Sequence, residues 1–287
     1  MQKLREVEIE TLTFDLVDDI CLGVQSGTIT EVDLPTTNAD GVGPLLELQH
    51  TQPNILNREG GPLWITADNY RELMRNMRET DAWFEPRSGY QGFISVDKLW
   101  RDELAWTDFV LRAKRAAISA GFSDDYGGKL TAAIGEFYAN VIDHSGLIDS
   151  GYVVYSASPG RFEFVVADAG IGVLDSLRSN PTYAHLVDAG TALELALDEG
   201  VSRYYTEQGH GFGFRPLFVG LANISRYMRF RSDDHSRSLT RKADGSIDAQ
   251  TSQLATTTGF FCCVVCDIEI QTPASHPDQA SKNAERK

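Results

Sequence analysis

Residues 136–145 read Glu-Phe-Tyr-Ala-Asn-Val-Ile-Asp-His-Ser, and farther along the chain comes Asp168-Ala-Gly170-Ile-Gly172. On a helix, Glu136, Asn140 and His144 fall at i, i+4 and i+8 and share one stripe. A carboxylate and a carboxamide one turn apart can orient a water and hold a hard cation. An Asp at the end of a strand, followed by Gly-x-Gly, presents a carboxylate beside backbone that a ligand can approach closely.

These groups need elements to hold them. Ile134, Phe137 and Val141 form a second stripe that faces a core, so a helix is expected over Lys129–His144, with Gly146 beyond its end. Tyr152–Ser156 and Phe162–Ala167 read as a hairpin around Pro159-Gly160, which puts Asp168 at a strand terminus. Helices are expected over Asp68–Arg78 and Trp106–Ala120. Thr191-Ala-Leu-Glu194 fits a capping box, for a helix reaching about Glu199. Residues 201–213 are glycine-rich, and Pro216 suits the first turn of a helix running to about Tyr227. Arg226–Arg231 and Phe260–Ile270 read as closing strands separated by a long polar hairpin. Val7–Phe14 and Gly27–Leu34 look strand-like.

The 287 residues carry a formal net charge of -15, which argues against a whole-chain nucleic-acid binder. The charge is uneven. Residues 1–60 hold 3 basic and 11 acidic residues, whereas 225–242 hold six Arg or Lys against two Asp. The basic run reads as a solvated hairpin, or as a surface masked by the acidic N-terminal region. Three of the four cysteines lie in Phe-Phe-Cys262-Cys263-Val-Val-Cys266, where adjacent side chains point to opposite faces and no second ligand pair accompanies them. Packed, reduced thiols in a cytoplasmic protein are expected. No apolar run approaches the length of a membrane span, and the charged N-terminus has no signal-peptide core.

Together the pieces resemble the ATP-binding domain shared by histidine kinases, gyrase B, MutL and the heat-shock chaperone ATPases. Glu136-x-x-x-Asn140-x-x-x-His144-Ser145 resembles the N box. Asp168-Ala-Gly170-Ile-Gly172 resembles the first glycine box, and Gly209-His210-Gly211-Phe-Gly213-Phe the second, which lies in the ATP lid. Thr256-Thr-Thr-Gly259-Phe-Phe resembles, with altered order, the strand that closes the adenine pocket. The resemblance implies an α+β fold for 105–271, a two-layer α/β sandwich of the Bergerat type. A smaller α+β region over 1–104 would precede it, and a disordered tail over 272–287 would follow.

The resemblance also implies roles. Asn140 would ligate Mg2+, which bridges the phosphates, and Glu136 would be the base or water-orienting group. Asp168 would accept a hydrogen bond from the adenine amino group. Gly170 and Gly172 would let the chain turn beside the nucleotide. Gly209, Gly211 and Gly213 would offer backbone N–H groups to phosphate, with His210 as a positive group nearby. His144 completes the stripe, although a last-turn His also suits a helix C-terminus whatever its function. His50, in Glu-Leu-Gln-His-Thr-Gln-Pro, superficially matches a phosphoacceptor box, but its acidic neighbour is on the wrong side. The implied protein is an ATP-binding regulator, an ATPase or protein kinase that hydrolyses Mg-ATP or passes its γ-phosphoryl group to a protein partner. The alternative is a non-catalytic, nucleotide-gated interaction switch.

Overall fold

The computed structural model describes residues 11–29, 38–53, 70–197, 221 and 224–268. In chain order its elements are β1 (Thr11–Leu12), α1 (Phe14–Gln25), β2 (Asn38–Ala39), α2 (Val42–Thr51), α3 (Arg71–Glu79), β3 (Ala82–Phe84), β4 (Gln91–Ser95), α4 (Val96–Arg101), α5 (Glu103–Ser119), α6 (Asp124–His144), β5 (Tyr152–Ser158), β6 (Arg161–Asp168), α7 (Gly172–Arg178), α8 (Ala189–Ala196), β7 (Tyr227–Ser232), β8 (His235–Arg241), β9 (Ile247–Gln253) and β10 (Phe260–Asp267). The fold is α+β. Eight strands form one antiparallel sheet in the order β3-β4-β5-β6-β10-β7-β8-β9. The late strand β10 fills the gap between β6 and β7, so both its neighbours hold its backbone and its apolar side chains are buried on both faces.

Strand alternation splits the core in two. Phe162, Phe164 and Val166 of β6, with Cys262, Val264 and Cys266 of β10, pack with α5 and α6. Val165 and Ala167, with Phe261, Cys263 and Val265, pack on the opposite face with α1, α2 and α3. The four thiols are all free and buried. Helix α6 starts at Ser123, whose side chain accepts from the Tyr126 N–H, and Asp124 and Asp125 occupy the positive end of its dipole. Leu130, Ile134, Phe137 and Val141 form its buried stripe, and Phe137 meets Phe164 and Phe230 at ring separations of 6.0 Å each.

The described residues ahead of 105 enter the same structure. Strands β3 and β4 extend the sheet beside β5, and α1–α3 cover the face that α5 and α6 leave open. The boundary expected at 104/105 falls inside α5. The two layers expected of 105–271 therefore carry a third layer from the first part of the chain.

Several local expectations are corrected. Phe14 begins a helix rather than ending a strand: Thr13 caps it, and Val17, Ile20 and Cys21 face the core at helical spacing. Of Gly27–Leu34, the described residues 27–29 form turn and bend, not strand. Thr191 is not the cap of α8. Asp188 is, accepting from the Thr191 N–H and Oγ1–H (both 2.6 Å), and the helix stops at Ala196. Tyr227 belongs to β7, and the polar hairpin after it holds β8 and β9. The helix expected from Pro216, the 201–213 glycine segment and the 272–287 tail lie mostly or wholly outside the described residues.

The basic run 225–242 is not simply a solvated hairpin. Arg229 and Arg231 alternate with Met228 and Phe230 on β7 and so point at the α1–α2 layer, where both are buried. Arg229 Nε donates to Glu47 Oε2 at 2.6 Å and its Nη2 to Glu47 Oε1 at 2.8 Å. Arg231 Nη1 donates to Glu47 Oε1 at 2.7 Å and to Asp18 Oδ1 at 3.2 Å. Burial alone would push Glu47 up, but the two guanidiniums outweigh it and hold its carboxyl below the usual range. Asp18 takes fewer contacts and lies beside Glu47, and burial carries it up to about 6. Two buried cations without these anions would cost far more than the fold could spare.

Candidate functional site

The site lies where the C-terminal end of α6, the end of β6 and the start of β10 meet. The helix carries Glu136 on its exposed side and Asn140 and His144 half-buried. The Asn140 Nδ2 donates to the Glu136 carbonyl at 2.8 Å, one turn back. That bond fixes the amide orientation and leaves the Oδ1 as the available ligand atom. One stripe of one helix thus presents a carboxylate and an amide oxygen.

Asp168 ends β6 and is 3% exposed. Its Oδ1 accepts from the Gly170 N–H at 2.8 Å, and among the described residues Oδ2 makes no hydrogen bond. Burial pushes the carboxyl up to about 6, and the Gly170 bond only partly offsets it. The second carboxylate oxygen can accept a hydrogen bond.

The loop after Asp168 is clamped from two sides. The Ile171 N–H donates to the carbonyl of Ser145, the C-cap of α6, at 2.9 Å, and the Ala169 N–H donates to Ser150 Oγ at 2.9 Å. A side chain at Gly170 would run into the Ser145 carbonyl, so only glycine lets loop and helix meet. On the other side, Phe260 pairs with Asp168 across the sheet, and a side chain at Gly259 (φ 67°) would collide with the Asp168 carbonyl. Ser232 Oγ accepts from the Val173 N–H at 2.9 Å and donates to the Gly259 carbonyl at 2.8 Å, tying α7 to the entry of β10. Gly172 sits at φ 76° beside that serine.

The structure brings together the helix that carries Glu136, Asn140 and His144, the Asp168–Gly172 loop and the 256–259 segment. Gly209, His210, Gly211 and Gly213 lie outside the described residues. The sequence gives no sign of Ser150 and Ser232, which hold the loop, nor of the contact that Ser145, at the end of the N-box-like stretch, makes with it. Ser232 lies 59 residues from its partner Val173, and no local signal marks it. His50 is no outward phosphoacceptor: its Nε2–H donates to the Thr258 carbonyl at 2.9 Å, and burial lowers its pKa to about 4, which keeps it neutral.

Among the described residues no cluster of three or more His, Cys, Asp or Glu side chains could hold a metal ion. A cation at this site would therefore depend on Asn140 Oδ1, water and the ligand's own oxygens, the coordination Mg2+ adopts with phosphates. The described helices include none long and apolar enough to cross a membrane. No family model matches the chain, and no curated protein matches it. Among solved structures it is similar to one described as the crystal structure of the N-terminal domain of a DNA repair protein, at 21% identity over 47% of this chain and a TM-score of 0.26. The chain spans about a third of that structure's length (34%), and a likeness this slight carries no argument about fold or function.

Proposed function

We propose that this protein is an ATP-binding regulator whose nucleotide site is the junction of α6, the Asp168–Gly172 loop and the 256–259 segment, within a Bergerat-type sandwich formed by residues 105–271. The observation that carries the proposal is Asp168. Its carboxyl is buried, has one oxygen unengaged among the described residues, and ends a strand whose backbone is packed against Gly259, with Gly170 two residues on packed against the Ser145 carbonyl. An exocyclic amino group of adenine is a donor of the right kind for that oxygen. A Mg2+ bound with ATP would supply neutralisation of the phosphate charge. Asn140 would hold the ion through Oδ1, since its Nδ2 is engaged by the Glu136 carbonyl. The exposed Glu136 carboxylate, one turn away, orients a water or a partner's hydroxyl and takes its proton. Glycines 209, 211 and 213 and His210, which lie outside the described residues, would offer backbone N–H groups and a positive side chain to the phosphates. A protein partner receives the signal, and the buried reduced thiols suit a cytoplasmic location.

Titration calorimetry with Mg-ADP tests the binding step. Wild type binds, whereas Asn140→Ala and Asp168→Asn bind weakly or not at all. Absence of binding by well-folded wild type refutes the proposal. Phosphate release, or labelling of a partner from γ-labelled ATP, tests the chemistry. Glu136→Ala should retain Mg-ADP binding and lose at least about a hundredfold in rate, the usual contribution of a general base. Binding without either activity in wild type would leave a nucleotide-gated switch in place of an enzyme.

A further inference from the structure

Helix α2 is fixed to the sheet at several points. At its start, the Val42 N–H donates to Glu163 Oε2 of β6 at 3.1 Å, so a strand carboxylate occupies the positive end of the helix. Farther along, Glu47 takes the two buried arginines of β7. A helix so held has little freedom to rotate or slide, and its last turn carries His50.

His50 reaches the segment that precedes β10. Its Nε2–H donates to the Thr258 carbonyl. Helix α1 reaches the same segment from its own end: Gln25 Oε1 accepts from the Thr256 N–H at 2.7 Å. Arg231 Nη2, anchored through the ion network to α1 and α2, donates to the Ala255 carbonyl at 2.7 Å. The remaining tie is the Thr257 N–H, which donates to the Asp233 carbonyl at 2.8 Å. Residues 255, 256 and 258 are therefore each held by a side chain from, or anchored in, the first fifty residues. Gly259, the next residue, lies against the Asp168 backbone, and its carbonyl takes the Ser232 hydroxyl that also holds α7.

We propose that the α1–α2 layer clamps the 255–259 segment against Asp168 and so sets the nucleotide affinity of the site, with His50 and Gln25 as positioning residues. The proposal rests on the ATP-binding assignment above. Neither side chain touches nucleotide. Each fixes a backbone group of a segment in register with the buried carboxylate. A partner that engaged α1 or α2 would then change nucleotide affinity through these two contacts, and nucleotide would change the partner's affinity by the same factor.

The test uses the full chain. Mg-ADP affinity is measured by calorimetry for wild type, His50→Ala, His50→Gln, Gln25→Leu and Gln25→Glu, with amide hydrogen exchange over 255–260 on the same samples. Loss of one such hydrogen bond should weaken Mg-ADP binding roughly tenfold in His50→Ala and Gln25→Leu, with faster exchange at Thr256 in the latter. His50→Gln keeps an N–H for the Thr258 carbonyl and Gln25→Glu keeps an acceptor for the Thr256 N–H, so both should stay within about threefold of wild type, well short of that tenfold loss. A merely structural role predicts no such rescue. Unchanged affinity in folded His50→Ala and Gln25→Leu, or equal loss in the paired conservative variants, overturns the clamp. Failure of wild type itself to bind Mg-ADP overturns the ATP-binding assignment and the clamp with it.

Discussion

Replacing Asp168 by Asn should make the protein more stable and its site useless. Burial raises this carboxyl from 3.8 to about 6. In the unfolded chain it ionises near the lower value. Between these two pH values the folded state binds more protons than the unfolded state, so stability falls as pH rises through the window. At about 1.4 kcal/mol per tenfold change in proton affinity, the ionised carboxylate costs the fold about 3 kcal/mol once the pH is well above 6. Asn has the shape and polarity of the protonated acid, and its Oδ1 can still accept from the Gly170 N–H. Urea melts should therefore show Asp168→Asn gaining up to about 3 kcal/mol well above pH 6 and nothing below pH 3.8. The same change turns an Nδ2 donor toward the ligand, so a donor on the nucleotide meets a donor on the protein. Affinity should drop roughly ten- to hundredfold, the effect of leaving buried polar groups unpaired. In wild type, Mg-ADP affinity should rise as pH increases through about 6, because only the ionised carboxyl accepts without first losing a proton. A variant no more stable than wild type above that pH, or one whose gain is equal at both ends of the range, refutes the account of Asp168 as a strained, ligand-ready acid.

Other expectations concern the frame. Glu47→Ala leaves Arg229 and Arg231 buried without their main anion and should cost about 3–5 kcal/mol in a denaturant melt. A loss under about 1 kcal/mol, typical of exposed pairs, would show that the network is open to water. Gly259→Ala introduces a Cβ at positive φ against the Asp168 carbonyl, so a thermal melt should show a loss of at least about 1 kcal/mol, with Mg-ADP binding impaired together with it. Gly160→Ala, at a positive-φ turn with open space around it, serves as the comparison: it should cost about 1 kcal/mol and leave binding intact.

How much of this was legible depended on distance along the chain. Helix α6 could be read because its apolar stripe and its polar stripe both repeat within twenty residues. The β5–β6 hairpin could be read because its turn carries Pro159-Gly160 and its strands are runs of apolar and β-branched residues. Helix α1 could not. Phe14-Asp-Leu-Val-Asp-Asp-Ile is short and follows a strand-like run, and only packing against the Phe14-facing side of the sheet shows which periodicity holds. The capping residue of α8 was misplaced because Asp188 and Thr191 both fit a cap, and only the geometry chooses between them.

Local sequence determined the parts: an amphipathic helix with Glu136, Asn140 and His144 on one side, and an Asp-x-Gly-x-Gly at a strand end. Those are properties of residue type and spacing, and helix and strand periodicities express them without help from the rest of the chain. Tertiary structure decided what surrounds them. It placed β10 between β6 and β7, so that Gly259 backs Asp168. It turned two arginines of an apparently exposed basic run inward onto Asp18 and Glu47, and it folded α1, α2 and α3 over the sheet's second face. The burial that weakens Asp168 as an acid, and the clamp on 255–259, arise from contacts between residues far apart in the chain, as far as 231 positions for Gln25 and Thr256, which no spacing rule encodes.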